Sequence, residues 1–182
     1  MSPATSYTPD SSYAWFRLGI SLILAIVGGI GLWLVVVVIP TIHKEFAIDR
    51  AGASLPYTAT FVGFAFGGFT MGRVADRYGI MVPVTIGGIA LGAGFFLAAM
   101  SQSYWQLVAV QAVLIGFAGS AATFGPLVAD VSQWFLKRRG IAVAIAASGN
   151  YIAGTLWPPA LQWAAETYGW REGFDDWLKL SA

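Results

Sequence analysis

An all-α bundle of five membrane-spanning helices is the fold class this sequence predicts, and three observations predict it. Of its 182 residues, 57% are hydrophobic and only 10% charged, against roughly 25% charged in a soluble domain. The charges fall between long uncharged runs rather than along one face. Each run matches or exceeds the ~20 apolar residues that a helix needs to cross the hydrocarbon core, where a charge costs ~2.5 to 3.5 kcal/mol at the centre.

Taken in order, residues 1–16 read as a disordered tail, because Met1 to Tyr13 is rich in Ser, Thr and Pro and lacks the short apolar core of a cleavable signal. Leu18 to Ile42 carries no charge and gives the first helix, with Trp15 and Phe16 at its entrance as interface anchors and Pro40 near its end. His43 to Arg50 is a short polar loop. Ala51 to Gly72 gives the second helix, with Pro56 in its opening turns, where a missing amide is tolerated. Gly72-Arg73-Val74-Ala75-Asp76-Arg77-Tyr78-Gly79 reads as a tight turn that returns its charges to water.

From Gly79 to Ala129 no charge appears, which is about twice what one crossing needs, so the chain folds back once. Ser101-Gln102-Ser103 marks the break between a third helix near Ile80 to Met100 and a fourth near Tyr104 to Val131, which Gly125-Pro126 is expected to bend. After the basic cluster Lys137, Arg138 and Arg139, Gly140 to Ala165 gives the fifth helix, with Pro158-Pro159 disturbing its last turns. The bundle thus covers 17–168. Residues 169–182 form a polar tail in which Trp170, Phe174, Trp177 and Leu178 share one helical face, the pattern of an interfacial helix.

Several function classes fall away. Ten basic residues against nine acidic give no basic face for nucleic acid. With no cysteine, thiol catalysis and cysteine metal sites are absent, and the single histidine, His43, reads as a solvated loop residue rather than a metal ligand. No catalytic cluster and no cofactor motif appears, so an enzyme is disfavoured.

Two features carry information about function. Gly63 with Gly67, Gly68 with Gly72, and Gly88 with Gly92 are small-xxx-small pairs, and Gly140, Ala144 and Ser148 continue the spacing, as expected of closely packed, mobile helices. No ionisable residue is expected at mid-membrane depth. The deep polar groups are Gln111, Ser120 and Thr123 on the fourth helix and Ser148, Asn150, Tyr151 and Thr155 on the fifth. Asn150 stands out because a buried amide needs partners across a helix interface or in a wet cavity.

The stretch from Gly72 to Gly79 resembles the loop between the second and third helices of the major facilitator superfamily, Gly-x-Leu-Ala-Asp-Arg-x-Gly followed by two basic residues. Gly72, Ala75, Asp76, Arg77 and Gly79 match, Val74 stands for the leucine, and Ile80 and Met81 occupy the basic positions. A second stretch is similar to the monocarboxylate transporter signature: Trp134-Phe135, Lys137-Arg138-Arg139, Ala142, Ala147-Ser148-Gly149 and Ala153-Gly154. The resemblance runs from Leu18 to about Arg171, the first five of the usual twelve helices.

It implies an incomplete N-terminal half of the major facilitator fold, carrying a small solute, an organic anion such as a monocarboxylate, by alternating access. Helices one, two, four and five would line the path, with Gln111, Thr123, Asn150 and Tyr151 as contacts and no cofactor. The expected partners are the lipid bilayer, the solute, and a missing C-terminal half or another membrane protein. The 182-residue product alone is expected not to transport. The competing reading is a nonfunctional or accessory membrane fragment that packs through its glycine faces. Arg17, Arg73, Arg77, Lys137, Arg138 and Arg139 against Lys44, Arg50, Arg171 and Lys179 favour a cytoplasmic N-terminus and an outside C-terminus in the cell membrane.

Overall fold

The computed structural model describes residues 9–46 and 48–168, and the regular structure of these residues is entirely helical. The first helix, α1 (Ser12–Gly28), is followed after Gly29 by α2 (Ile30–Glu45). Gly29 keeps right-handed helical angles, φ −65° and ψ −19°, so the two form one span with a loosened turn. Ser11 caps α1 by accepting from the Ala14 N–H at 3.4 Å. Residues 12–16, expected in the disordered tail, are therefore helical. The composition suggested disorder, but a capping serine and the aromatic run from Tyr13 are what start the helix.

Asp49 caps α3 (Arg50–Tyr78) by accepting from the Gly52 N–H at 2.8 Å. With 29 residues at ~1.5 Å each, α3 is about 43 Å long and outruns a hydrocarbon core of ~30 Å. This corrects the expected turn: Gly72 to Tyr78 are the last two turns of α3, and the chain reverses only at Gly79 and Ile80. Asp76 and Arg77 reach water by extension of the helix. Gly79 sits at φ +83°, a conformation that a side chain would strain.

Next come α4 (Met81–Ala99), α5 (Tyr104–Val110), a π-helical segment (Gln111–Ser120), α6 (Ala121–Trp134) and α7 (Arg139–Tyr168). The three pieces from Tyr104 to Trp134 make one 31-residue span. Its irregular stretch precedes Gly125-Pro126, where the bend was expected. Likewise α7 continues through Pro158-Pro159 to Tyr168. Gln106 starts α5 by accepting from the N–H groups of Gln102 at 3.2 Å and Ser103 at 3.3 Å.

Four of these spans are long and apolar enough to cross a membrane: Ser12–Pro40, Met81–Ala99, Tyr104–Trp134 and Arg139–Trp163. The fifth bundle helix, α3, has the length but a more polar sequence. Its Pro56 leaves the Gly52 carbonyl without an in-helix donor, and the Tyr104 hydroxyl donates to that oxygen at 2.6 Å. His43 lies in the last turn of α2 rather than in a loop, half-buried, with Nδ1 buried and without a hydrogen-bond partner among the described residues. The tail beyond Tyr168, where the interfacial helix was expected, lies outside the described residues.

The first span packs on α7, α3 packs on the π segment and α6, and α4 covers the same two elements from another side. Apolar side chains gather at both ends. Ile30, Leu34, Val38, Leu91, Phe95 and Ile115 belong to one core cluster, and Ala14, Leu18, Val131, Phe135, Ala142 and Ala146 form the other.

Candidate functional site

The glycine spacing was half right in register. At Gly63, Gly67 and Gly116 a Cβ would strike the backbone of Ala112, Phe117 and Thr60 respectively, so α3 and the π segment meet backbone to backbone. Gly68, Gly72, Gly88 and Gly140 face open space. On α4 the packing glycines are Gly87 and Gly94, where a Cβ would lie 2.9 Å from Thr123 Cγ2 and 2.7 Å from Ile115 Cγ1.

The four expected path residues divide by burial. Gln111 is 1% exposed and sits in the α3 crossing, its Oε1 3.1 Å from the Thr60 hydroxyl, which is also 2.8 Å from the Pro56 carbonyl. The hydroxyl has one proton, so both contacts hold together when the Gln111 amide is turned to donate. Thr123 is buried and donates back to its own helix, to the Ser120 carbonyl at 3.1 Å. Asn150 is half-buried, and its backbone carbonyl accepts from the Trp33 indole at 3.3 Å. Tyr151 is 75% exposed. The structure thus does not bring the four side chains to one surface.

What it does bring together is a set of charges at the N-terminal end of the bundle. Arg17 on α1 and Asp130 on α6 form a forked pair, Nε to Oδ2 at 2.8 Å and Nη2 to Oδ1 at 2.9 Å, the geometry that gives arginine–carboxylate pairs their strength. Their side chains keep 28% and 16% of their exposure, and the guanidinium lies 4.8 Å from the centre of the Trp134 ring. Asp130 forms part of the wall of two cavities. One, of about 360 Å³, is lined by Phe16, Arg17, Ile20, Ser21, Met81 and Asp130 among others. The second, of about 230 Å³, reaches Asp76, Gly79, Ile80, Pro126, Asp130 and Gln133. The motif from Gly72 to Gly79 therefore opens onto a space shared with α6.

Sequence reasoning used Arg17 only to orient the chain and passed over Asp130. The available signal was that opposite charges occur near the start of the first span and the end of the fourth, hence at one end of the bundle.

The basic cluster is fastened to the N-terminus. Asp10 accepts from three successive backbone N–H groups, those of Leu136 at 3.3 Å, Lys137 at 3.1 Å and Arg138 at 3.3 Å, while its own N–H donates to the Trp134 carbonyl at 3.1 Å. These bonds, with the Lys137 amide foremost, hold the Asp10 carboxyl below its ordinary value. Lys137, Arg138 and Arg139 are themselves exposed.

Comparison with known proteins gives this arrangement a family. The agnestins efflux protein of Paecilomyces divaricatus is 30% identical over 138 residues, 73% of this chain and 32% of the relative. Monocarboxylate transporter 11 of Homo sapiens is 35% identical over 98 residues, 54% of this chain and 21% of its own length. The fujikurins efflux protein of Gibberella fujikuroi is 38% identical over 97 residues, 52% of this chain and 20% of the relative. The chain spans about a third or less of these relatives. The profile of the Major Facilitator Superfamily matches residues 21–174, and the chain is an integral membrane protein of that superfamily of transporters.

Proposed function

We propose that this chain is the N-terminal portion of a secondary carrier that moves a small organic anion, such as a monocarboxylate, by alternating access against an opposing helical bundle. The observation that carries the reading is the family match together with the 35% identity to monocarboxylate transporter 11. The open faces at Gly68, Gly72 and Gly88 support an opposing bundle, since a second set of helices can approach there closely. Tyr151 and Asn150 are the path contacts. Gln111 and Thr123 shape the wall from behind, because their polar groups are engaged within the packing.

The N-terminus lies in the cytoplasm in this reading, with Arg73, Arg77 and the cluster Lys137, Arg138 and Arg139 on the same side. The distribution of basic residues supports that orientation. The solute makes no covalent bond to the protein, and no cofactor is required.

The test is uptake of a labelled short-chain monocarboxylate into vesicles holding this chain, alone or with a C-terminal half of a facilitator-family relative. The expected result is uptake equal to empty vesicles for the chain alone and saturable uptake for the pair. Uptake by the chain alone would overturn the two-bundle mechanism. Uptake of neutral solutes in preference to carboxylates by the pair would overturn the substrate class. The same open glycine faces also suit an accessory fragment held against another helical membrane protein. Crosslinking through a cysteine placed at Gly72 discriminates, because a fragment would trap that partner in the absence of any transport.

A further inference from the structure

We propose that the loop at residues 135–138 is a docking site for the phosphate of an anionic phospholipid, held in shape by Asp10 and presented to the bilayer leaflet at the N-terminal end of the bundle. Only this loop separates the span Tyr104–Trp134 from the span Arg139–Trp163, so it lies where lipid gives way to water. The backbone at Phe135 is extended, φ −121° and ψ 128°, which sends neighbouring side chains to opposite sides. Phe135 is fully buried and meets the Trp15 ring edge to face, with centroids 5.1 Å apart, whereas Leu136 is turned outward with 72% of its surface exposed. Lys137 and Arg138 follow, both exposed.

An exposed loop of this composition would ordinarily be loose, and Asp10 is what fixes it. Its carboxylate accepts from the amides of Leu136, Lys137 and Arg138, and its own N–H donates to the Trp134 carbonyl. In doing so Asp10 takes φ +60°, a left-handed conformation that short acidic side chains tolerate better than most. The carboxylate is thus engaged with the amides, and neither Lys137 nor Arg138 forms an ion pair among the described residues, where the one such pair is Arg17–Asp130. Arg139 turns back to the Ser132 hydroxyl at 3.3 Å. Two unpaired cations beside an exposed leucine at the membrane surface complement a lipid better than a solute in water. The leucine enters the acyl boundary, and the cations meet the phosphates around it.

The chain contains no cysteine, so a single thiol placed beside the loop reports on its lipids. Gln133 is exposed and lies outside the loop. The experiment attaches a bimane fluorophore to Gln133→Cys in the full chain, reconstituted in mixed vesicles of phosphatidylcholine and phosphatidylglycerol. The lipid composition is held constant, and the quenching bromine is carried by one lipid or by the other. The phosphatidylglycerol share around the label should exceed its share in the bilayer about fivefold, the scale of one net basic charge at an anionic surface. Lys137→Gln/Arg138→Gln, two changes at exposed side chains, should bring the two lipids to parity.

Asp10→Asn separates a fixed site from a diffuse field, because the two predict opposite signs. The substitution removes an anion, so a diffuse field would strengthen and the enrichment would rise. It also loosens the loop, so the enrichment at a fixed site falls towards parity, which is the expected result. An enrichment that rises or stays the same, in a variant that keeps the parent's circular dichroism and elution profile, would overturn the fixed site. If Asp10→Asn does not fold, Leu136→Ser decides the question: it leaves the charge unchanged, and an unchanged enrichment would mean that charge alone acts. Parity in the parent, or enrichment that persists in Lys137→Gln/Arg138→Gln, would overturn the docking altogether. Loss of the enrichment on adding inorganic phosphate at matched ionic strength would make free phosphate the ligand and overturn the assignment to lipid.

Discussion

Two of the helix crossings in this bundle solve one problem by different means. Where α3 crosses the π segment, glycines remove the side chains and backbone meets backbone at Gly63, Gly67 and Gly116, with Thr60 and Gln111 sealing the contact by a side-chain bond. Where the first span crosses α7, tryptophan side chains bond across the crossing to main-chain oxygens. Trp157 donates its indole N–H to the Ile26 carbonyl at 2.8 Å, and Trp33 donates to the Asn150 carbonyl at 3.3 Å. Glycine here meets side chains first: a Cβ at Gly149 would fall 2.8 Å from Ala25 Cβ and 3.2 Å from the Leu22 carbonyl oxygen, and one at Gly154 would fall 2.6 Å from the Trp33 ring. The first crossing depends on shape and the second on hydrogen bonds to main-chain oxygens. In lipid, where apolar burial gives helices no preference for each other, these are two of the forces available.

The sharpest way to break the comparison is to add one methyl group to each kind of surface. Gly116→Ala places a Cβ into the Thr60 backbone, which cannot turn away as a side chain can, and should cost ~3 kcal/mol or more. Gly68→Ala on the partner helix meets nothing within 4 Å and should change stability by less than ~0.5 kcal/mol. Unfolding of each variant in mixed micelles by added SDS, followed by circular dichroism, gives both numbers. A Gly116→Ala variant as stable as the parent would mean that the crossing is not closed by shape.

That contrast also explains which parts of the molecule were legible in the sequence. The spans were readable because charge is excluded from lipid, so the uncharged runs mark them directly. Helix ends were less so. Residues 12–16 joined α1 and residues 72–78 joined α3 because capping by Ser11 and the continuing helical hydrogen bonds beyond the lipid carry no hydropathy signal. Glycine spacing identified candidate faces but not which face packs: Gly63 and Gly67 do, while Gly68 and Gly72 do not. The Arg17–Asp130 pair was hidden because its members lie 113 positions apart. Nothing local in the sequence joins them.

The hydrogen-bonded crossing should respond to loss of a donor. Trp157→Phe keeps most of the ring's volume and removes the N–H that the Ile26 carbonyl accepts, beside the loosened turn at Gly29. Loss of a hydrogen bond to this part-buried carbonyl predicts a loss of ~1 kcal/mol in the same SDS titration. At the other crossing, Gln111→Leu should cost less, ~0.6 kcal/mol, close to the average for side-chain bonds between membrane helices. The Thr60 hydroxyl would still donate to the Pro56 carbonyl, so no proton is stranded. If Gln111→Leu proved the more damaging of the two, the shape-closed crossing would in fact rest on its polar seal.

The smallest effect concerns the end of the tryptophan crossing, where Asp10 ties the start of α1 to the residues preceding α7. Its carboxyl is held below the ordinary value of 3.8, chiefly by the Lys137 amide. A depressed carboxylate contributes its fastening fully above the ordinary value and loses it as pH falls through the lowered one. The window therefore lies on the acid side of ~4, and the fastening is complete at neutral pH. Ser12 is exposed, so a spin label on Ser12→Cys in the otherwise cysteine-free chain reports on the segment without disturbing the core. Its spectrum should sharpen as pH falls below ~4 and should be unchanged from pH 5 to 8. In Asp10→Asn, which keeps the shape but not the charge, the label should be mobile at every pH and show no titration. An acid-induced sharpening that persists in Asp10→Asn would show that the Asp10 carboxylate is not the group whose protonation frees the segment.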